Sequence, residues 1–238
     1  MVYNNSPNQI QTGSNLLNRC EAYCINLETR PDRWEKVQQQ FALLSLQNVQ
    51  RYAAKTDVSI RNDALTKGEH SVIETNLELL RVCHRSKPIL IFQDDVYFLM
   101  ECHPLETMDK ITVQLPDDFG ILYLGAHLFD PKIKHPLVTP NLVKMQPEPN
   151  PTPQKDHVYI GGAHAIVFSQ RSIKFILSQV EDVMFEAQWD VFLSKHVVPA
   201  FPCFMAYPTF AFQVEDFSDL EGKQTKRDWV VGWDNHNG

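Results

Sequence analysis

The chain has 238 residues, 43% hydrophobic and 21% charged, with a formal net charge of −7. That length can bury a full core, and an acidic balance without a dense basic face argues against a generic nucleic-acid binder. No stretch approaches a membrane span, and five cysteines (Cys20, Cys24, Cys83, Cys102, Cys203) lack the spacing of a disulfide framework or a zinc ladder, so reduced, mostly buried thiols in a cytoplasmic protein are expected.

Met1 to Asn18 is polar and lacks the apolar segment of a secretory signal, so residues 1–20 are expected to be frayed ahead of a single domain over 21–238. Glu21 to Leu27 reads as a first strand, and Thr29 and Pro31 stand where a helix would start. Trp34, Val37, Phe41 and Leu44 then recur at helical spacing, predicting a helix over Asp32 to Leu46, followed by a short strand over Asn48 to Ala54. Strand, helix, strand in this length is a parallel βαβ unit. Lys55 to Lys67 is polar and loop-like. Glu69 to His84 carries Val72, Ile73, Leu77, Leu80 and Cys83 on one face, a second crossover helix that ends before Pro88.

The next stretch organises the chain. Ile89-Leu90-Ile91-Phe92 is an unbroken apolar run that stops at Gln93-Asp94-Asp95, after which apolar residues resume. It reads as a buried strand delivering acids to its carboxyl end, where open α/β sheets bind ligands. Side chains alternate along a strand, so Gln93 and Asp95 face one way and Asp94 the other. Adjacent carboxylates repel, and a cation, a donor cluster or solvent must offset that repulsion. A surface turn with two solvated aspartates is the competing reading.

Asp118 to Gly125 predicts another central strand whose closing glycine permits a sharp turn or a close approach. Residues 126–156 hold Pro131, Pro136, Pro140, Pro147, Pro149, Pro151 and Pro153, a density that predicts a long loop with neither helix nor central strand. Val158 to Ser169 returns to strand, broken by Gly161-Gly162. Helices are predicted over Arg171 to Val180 and Trp189 to Val197, and an edge-like strand interrupted by Pro208 over Phe204 to Phe212. Trp229 and Trp233 are expected to dock on the body.

Several of these segments, in order, resemble glycosyltransferase family 25, the group of lipopolysaccharide-type and procollagen-type galactosyltransferases. Ile25-Asn26-Leu27-Glu28-Thr29-Arg30-Pro31-Asp32-Arg33-Trp34 resembles its opening motif, Gly68-Glu69 the start of its second helix, and Ile89 to Val96 its apolar strand ending in Glu-Asp-Asp. Gly161-Gly162-Ala163-His164-Ala165, Ser169 to Ser172, Trp189-Asp190, and Phe212-Gln213 with Ser218-Asp219 resemble its later motifs. The likeness spans about Ala22 to Gly222. Two departures stand out: Gln93 occupies the place of the usual Glu, and His70-Ser71-Val72-Ile73 follows Glu69 where the family has Gly-Cys and a Ser-His pair.

The resemblance implies a GT-A-type, Rossmann-like fold with a mostly parallel central sheet flanked by helices. It also implies a UDP-sugar donor, a divalent cation (Mn²⁺ or Mg²⁺), and inverting transfer of galactose or a related hexose to a hydroxyl of a glycan, lipid-linked or protein acceptor. Asp95 is then the expected metal ligand, and Gln93 supplies a carbonyl oxygen to the metal or a hydrogen bond to the ribose. Asp94 orients the turn or touches the donor sugar. Leu27, Arg30 and Arg33 lie where the nucleotide would sit, with Asp32 and Glu35 as the arginines' surface partners in the competing reading. Thr56 and Asp57 contact the uridine or are ordinary polar residues of a loop. Glu69 contacts the donor or is simply an acid at a helix start. Asp190 is the candidate general base, or an ordinary helix carboxylate. His164 approaches the sugar or is a satisfied core histidine, and Gln213 and Ser218 with Asp219 close over the diphosphate. A catalytically degenerate member that binds a nucleotide-sugar or a protein partner is the alternative. A two-metal phosphoesterase lacks the second acid-histidine cluster it would need.

Overall fold

The computed structural model describes residues 16–82, 86–129, 133–147 and 160–214, and the backbone of two short strands at 217–218 and 223–224. Order begins before the predicted strand: Leu16 and Leu17 of helix α1 (Leu16–Arg19) are buried, and the Leu16 N–H donates to Thr112 Oγ1 at 2.8 Å. Residues 16–20, expected to be frayed, are therefore ordered, because two adjacent leucines are buried there; the rest of that expectation lies outside the described residues.

Strand β1 (Glu21–Asn26) alternates half-buried and buried residues, with Ala22, Cys24 and Asn26 turned to one face of the sheet. Helix α2 (Pro31–Leu43) starts with Pro31 in its first turn and buries Arg33, Val37 and Phe41. It stops short of the predicted Leu46 at a left-handed Ser45 (φ 53°), where Leu46 N–H reaches Phe41 O (3.0 Å) and Ser45 N–H reaches Ala42 O (3.1 Å). This is the hydrogen-bond pair of a Schellman stop, normally signalled by glycine. A side chain in that conformation costs about 1–2 kcal/mol, partly offset by the smaller backbone freedom it has when unfolded. Ser45→Gly is therefore expected to stabilise the exposed turn by roughly 0.5–1 kcal/mol, a melting rise of about 1–4 °C that calorimetry would register.

Strand β2 (Gln50–Ala53) pairs parallel with β1, and helix α3 (Lys67–Val82) crosses back to strand β3 (Ile89–Gln93) on the other side of β1. Strand β3 alternates its buried residues between two cores. Ile89 and Ile91 meet α3, while Leu90 and Phe92 meet α2, with Phe92 packed against Phe41 at 4.9 Å between centroids. Strand β4 (Val96–Phe98) turns away, and helix α4 (Pro104–Gln114), absent from the sequence reading, buries Met108 and Ile111 on the α2 face.

Strand β5 (Ile121–Tyr123) is followed by β6 (His127–Leu128) and by the hairpin of β7 (Leu137–Thr139) and β8 (Leu142–Lys144). The proline-rich stretch thus contributes two strands to the main sheet, contrary to the expected loop: Pro136 precedes β7 and Pro140 lies in the turn, so neither takes a ladder position. Next come β9 (Ile160–Gly161), β10 (Ala165–Phe168), α5 (Gln170–Ser178, capped by Ser169), α6 (Glu181–Met184) and α7 (Trp189–Phe192). A π turn carries the last into α8 (Val198–Ala200). Strand β11 (Phe204–Ala206) lies between β5 and β8, not at an edge; Pro208 falls beyond it and never interrupts its ladder. Strand β12 (Ala211–Gln213) pairs with β4, and β13 (Phe217–Ser218) with β14 (Lys223–Gln224). Trp229 and Trp233 lie outside the described residues.

The main sheet has eight strands in the order β2-β1-β3-β10-β5-β11-β8-β7. It is mixed: β10 and β8 run against the other six. Helices α3, α5 and α7 cover one face, α1, α2 and α4 the other, a three-layer α/β arrangement compatible with a Rossmann-like fold. Cys20, Cys24, Cys102 and Cys203 are free thiols, and burial pushes Cys20 and Cys203 up to about 12, leaving little reactive thiolate. Among the described residues no helix is long and apolar enough to cross a membrane.

Candidate functional site

The parallel register of β2, β1 and β3 aligns Ala53 with Asn26, and Ile25 with Gln93, so the ends of three strands open at one edge of the sheet. The Asp94-Asp95 turn sits at that edge. Asp94 faces α2: Asn26 Nδ2 donates to its Oδ2 at 2.6 Å, and Arg33 Nη1 lies 3.3 Å from its Oδ1, with both charged side chains largely buried. Burial raises the Asp94 pKa, the Asn26 hydrogen bond opposes this, the neighbouring Asp95 charge adds to it and Arg33 opposes it. Asn26 also donates to Arg30 O (3.0 Å) and accepts from Arg51 Nε (2.8 Å), which uses its whole amide. Asp94 is thus an anchor for the turn.

Asp95 faces the other way, as the alternation predicts. Its Oδ2 accepts from Gln213 Nε2 at 3.1 Å, and Gln93 Oε1 accepts from the same nitrogen at 3.2 Å. His127 fixes this amide's orientation by donating from Nε2 to Gln213 Oε1 at 3.1 Å. His164 is fully buried and donates from Nε2 to Ala211 O at 3.0 Å, which pins β12 beside the turn. Its surroundings are those of a core histidine.

A second carboxylate closes the corner. Asp190 opens α7 half-buried, accepting from Val191 N–H at 2.9 Å and from Gly162 N–H at 3.3 Å. Burial raises its pKa; the two backbone donors lower it and the charge of Glu69 raises it. Gly162 has a left-handed φ of 85°, and a Cβ there would lie 2.8 Å from His127 Cδ2 and 3.0 Å from His164 Nδ1. Two hydrogen-bonded segments therefore meet at this glycine, Asp95–Gln213–His127 and Asp190–Gly162, with the His127 ring lying against the bare Cα of Gly162.

The remaining predicted residues lie around these segments. Leu27 contributes its carbonyl, which accepts from Arg30 N (3.0 Å) and Arg51 Nη2 (3.2 Å). Arg30 forks onto Asp32 with two 2.9 Å bonds, and that partner draws the exposed Asp32 carboxyl down to about 2. Thr56 and Asp57 are exposed on the loop after β2. Glu69 forms a capping box with Thr66, accepting from its N–H (2.6 Å) and hydroxyl (2.9 Å) while its own N–H bonds Thr66 Oγ1 (3.2 Å), and it accepts from Gln188 as well. The side chains of Ser218 and Asp219 lie outside the described residues. Gly125 closes β5 against backbone, with Ala211 O occupying the position of a Cβ.

Asn26, Arg51 and His127 were not singled out from the sequence. His127 had a usable signal, since it follows a central strand by a few residues, at the carboxyl end where loops carry function. A separate cleft of about 720 Å³ lies between the loop after β2 and α6, lined by Ser59, Arg61, Asn62, Glu181 and Glu186 over Phe185. Arg61 and Glu181 pair across it at 2.5 Å.

Fold and site together define an α/β protein with a mixed sheet and a polar, carboxylate-bearing corner at the ends of its parallel strands. No protein-family model matches the chain, and no relative is found among curated proteins.

Among the described residues no group of three His, Cys, Asp or Glu side chains is gathered for a metal ion. Asp94 is committed to Arg33 and Asn26. The oxygens of Asp95 and Gln93 nevertheless converge on a single donor nitrogen, as ligands of one cation would. Asp95 and Gln93 are the residues here that would hold a Mg²⁺- or Mn²⁺-type ion, once Gln213 Nε2 moved from between their oxygens.

Proposed function

We propose that the chain is a nucleotide-sugar-dependent glycosyltransferase, of the GT-A-type kind that its ordered motifs resemble in glycosyltransferase family 25. The observation that carries this reading is that two hydrogen-bonded segments, Asp95–Gln213–His127 and Asp190–Gly162 N–H, meet where the His127 ring lies against the bare Cα of Gly162. It puts an acid suited to the diphosphate end and a carboxylate suited to the acceptor end in one corner. A divalent cation held by Asp95 and Gln93 would supply charge stabilisation to the departing diphosphate. Asp190 takes the proton of the acceptor hydroxyl while that oxygen bonds to the anomeric carbon and the bond from that carbon to the diphosphate breaks, inverting the centre. Asn26, Arg33 and Asp94 hold the turn that aims Asp95.

A second reading, a binder without turnover, draws on the Gln213 amide nitrogen lying between the two oxygens offered to a cation, and on Gln93 in place of the family's Glu. One experiment tests both. Melting is followed with UDP, UDP-galactose and UDP-glucose, each with and without Mn²⁺, for the wild-type chain and Asp95→Ala. At a hundredfold excess over Kd a ligand adds about 2.7 kcal/mol, a rise of several degrees. The transferase reading expects a rise that needs Mn²⁺ and is lost in Asp95→Ala, together with sugar release in a turnover assay. A metal-independent rise without turnover supports the binder, and no rise with any nucleotide-sugar defeats both.

A further inference from the structure

His70, in the stretch that departs from the family 25 pattern, is fully buried in the first turn of α3. One of its ring nitrogens carries two backbone groups of the preceding loop: the N–H groups of Arg61 and Asn62 donate to Nε2 at 3.0 and 3.2 Å. Nε2 is therefore the bare nitrogen of a neutral ring, and Nδ1 donates to Thr66 O at 2.9 Å. The same loop is pinned to α6. Asn62 Nδ2 donates to Phe185 O at 2.8 Å, and the Arg61 guanidinium lies 4.8 Å over the Phe185 ring. The His70 ring stacks on that phenyl as well, at 5.6 Å between centroids. The loop's ends are held separately, Lys55 N–H by Thr75 Oγ1 at 3.0 Å and Thr66 by its capping box with Glu69. Between those anchors, one neutral imidazole ties residues 56–65 to both helices.

We propose that residues 56–65 form a strap clasped by His70, and that acid releases it. A proton on Nε2 would set an N–H against two N–H donors, so the closed strap has no place for it. Once the strap lifts, the ring meets water and takes the proton. The closed form thus binds fewer protons than the open one, and its share falls as pH drops. The charged groups around the clasp have partners of their own. Arg61 pairs with Glu181 and Glu74, Lys55 with Glu74 and Glu78, and Glu186 with His196 of the π turn. Glu69 is held by Thr66 and Gln188, while Asp63, Lys67 and Asp182 are exposed. Protonating His196 strengthens its pair with Glu186, the opposite sign to the clasp. Thr56 and Asp57 ride on the strap, so any contact they make with a donor nucleotide is lost on release. That last step rests on the transferase reading; the clasp does not.

The test is amide exchange by NMR on the full chain at pH 7.5 and pH 5.5, each rate corrected for its intrinsic pH dependence. An imidazole in open water titrates at about 6.5, so the strap's opening constant should rise about tenfold over this interval. Protection of the Arg61 and Asn62 amides is expected to fall by that factor. Protection of Leu124, whose N–H donates to Ala165 O in the core, should stay unchanged. Ring nitrogen shifts of His70 should place the proton on Nδ1 at pH 7.5. His70→Gln, neutral throughout, should abolish the pH dependence and His196→Ala should keep it; if the first fails to fold, the wild-type measurements decide without it. UDP-galactose melting with Mn²⁺ at both pH values reads the donor separately: a strap that opens in acid on a chain that ignores UDP-galactose keeps the clasp and rejects the donor site. The proposal is overturned if the two amides keep their protection at pH 5.5, if Nε2 carries the proton at pH 7.5, or if His196→Ala removes the pH dependence.

Discussion

Replacing Asp190 with Asn is expected to lower sugar transfer by about 10²–10⁴-fold while leaving the UDP-sugar melting response in place. The residue's job in the proposed reaction is to receive a proton, and an amide cannot. Its environment suits that job. Burial makes the ionised form harder to hold, Gly162 and Val191 N–H groups keep that form available, and the Glu69 charge raises the pKa further. The net upward shift makes Asp190 a stronger base at neutral pH than an exposed aspartate. Activity should therefore fall on the acid side at a pH above the ordinary carboxylate value of 3.8, and that limb should disappear from the residual activity of the variant.

Stability carries a matching signature. A carboxyl whose folded pKa is raised binds its proton more tightly in the native state, so ionisation costs stability, which falls as pH climbs from 3.8 through the raised value. Asp94 is shifted the same way and contributes to the same wild-type slope. The difference between wild type and Asp190→Asn isolates the Asp190 part. Rate profiles and pH-dependent melting on the two proteins decide the matter, and transfer within threefold of wild type would remove Asp190 from the reaction.

The βαβ opening was legible because its signals are local: alternation over Glu21 to Leu27, helical spacing from Trp34 to Leu44, and an apolar run at Ile89 to Phe92. Helix α4 was harder to see although Pro104, Thr107, Met108 and Ile111 stand at helical spacing, because proline and threonine at two of the four positions mute the apolar pattern. The proline-rich stretch misled for a different reason. Prolines mark where a strand cannot continue, and two three-residue strands fit in the gaps between them. Strand β11 shows the same limit: three buried residues cannot reveal from sequence whether they lie inside a sheet or at its edge.

At the site, the strand end and its acids could be located from alternation alone, and Asp95 does face away from Asp94. Their partners could not be. Asn26, Arg33, His127 and Gln213 arrive from four separated segments, and only the sheet order brings them together. Arg33 and Asp94 lie 61 residues apart in sequence, so nothing local distinguishes a buried ion pair from a helix-surface arginine.

That pair has a measurable consequence. Arg33→Ala is expected to cost about 2–3 kcal/mol, below the roughly 3–5 kcal/mol seen when one partner of a fully buried pair is removed. The discount follows from geometry: a single 3.3 Å contact, side chains still 11% and 12% exposed, and the Asn26 amide remaining on Asp94 at 2.6 Å. Without Arg33, the Asp94 carboxylate keeps its burial and its repulsion from Asp95 but loses the cation that offsets them. Its folded pKa should rise further above 3.8, so the deficit against wild type is largest near neutral pH and shrinks as acid protonates Asp94. Asp94→Asn in the same chain should recover a substantial part by removing the uncompensated charge. Urea melts of the two single variants, the double variant and wild type at pH 7 and pH 4.5 close the cycle. A loss that is the same at both pH values would mean that Arg33 acts only by packing its stem against α2 and β3. If the charge pair does hold the turn, Arg33→Ala must also blunt the UDP-sugar response, because Asp95 follows Asp94 directly in the chain and is aimed by the same backbone.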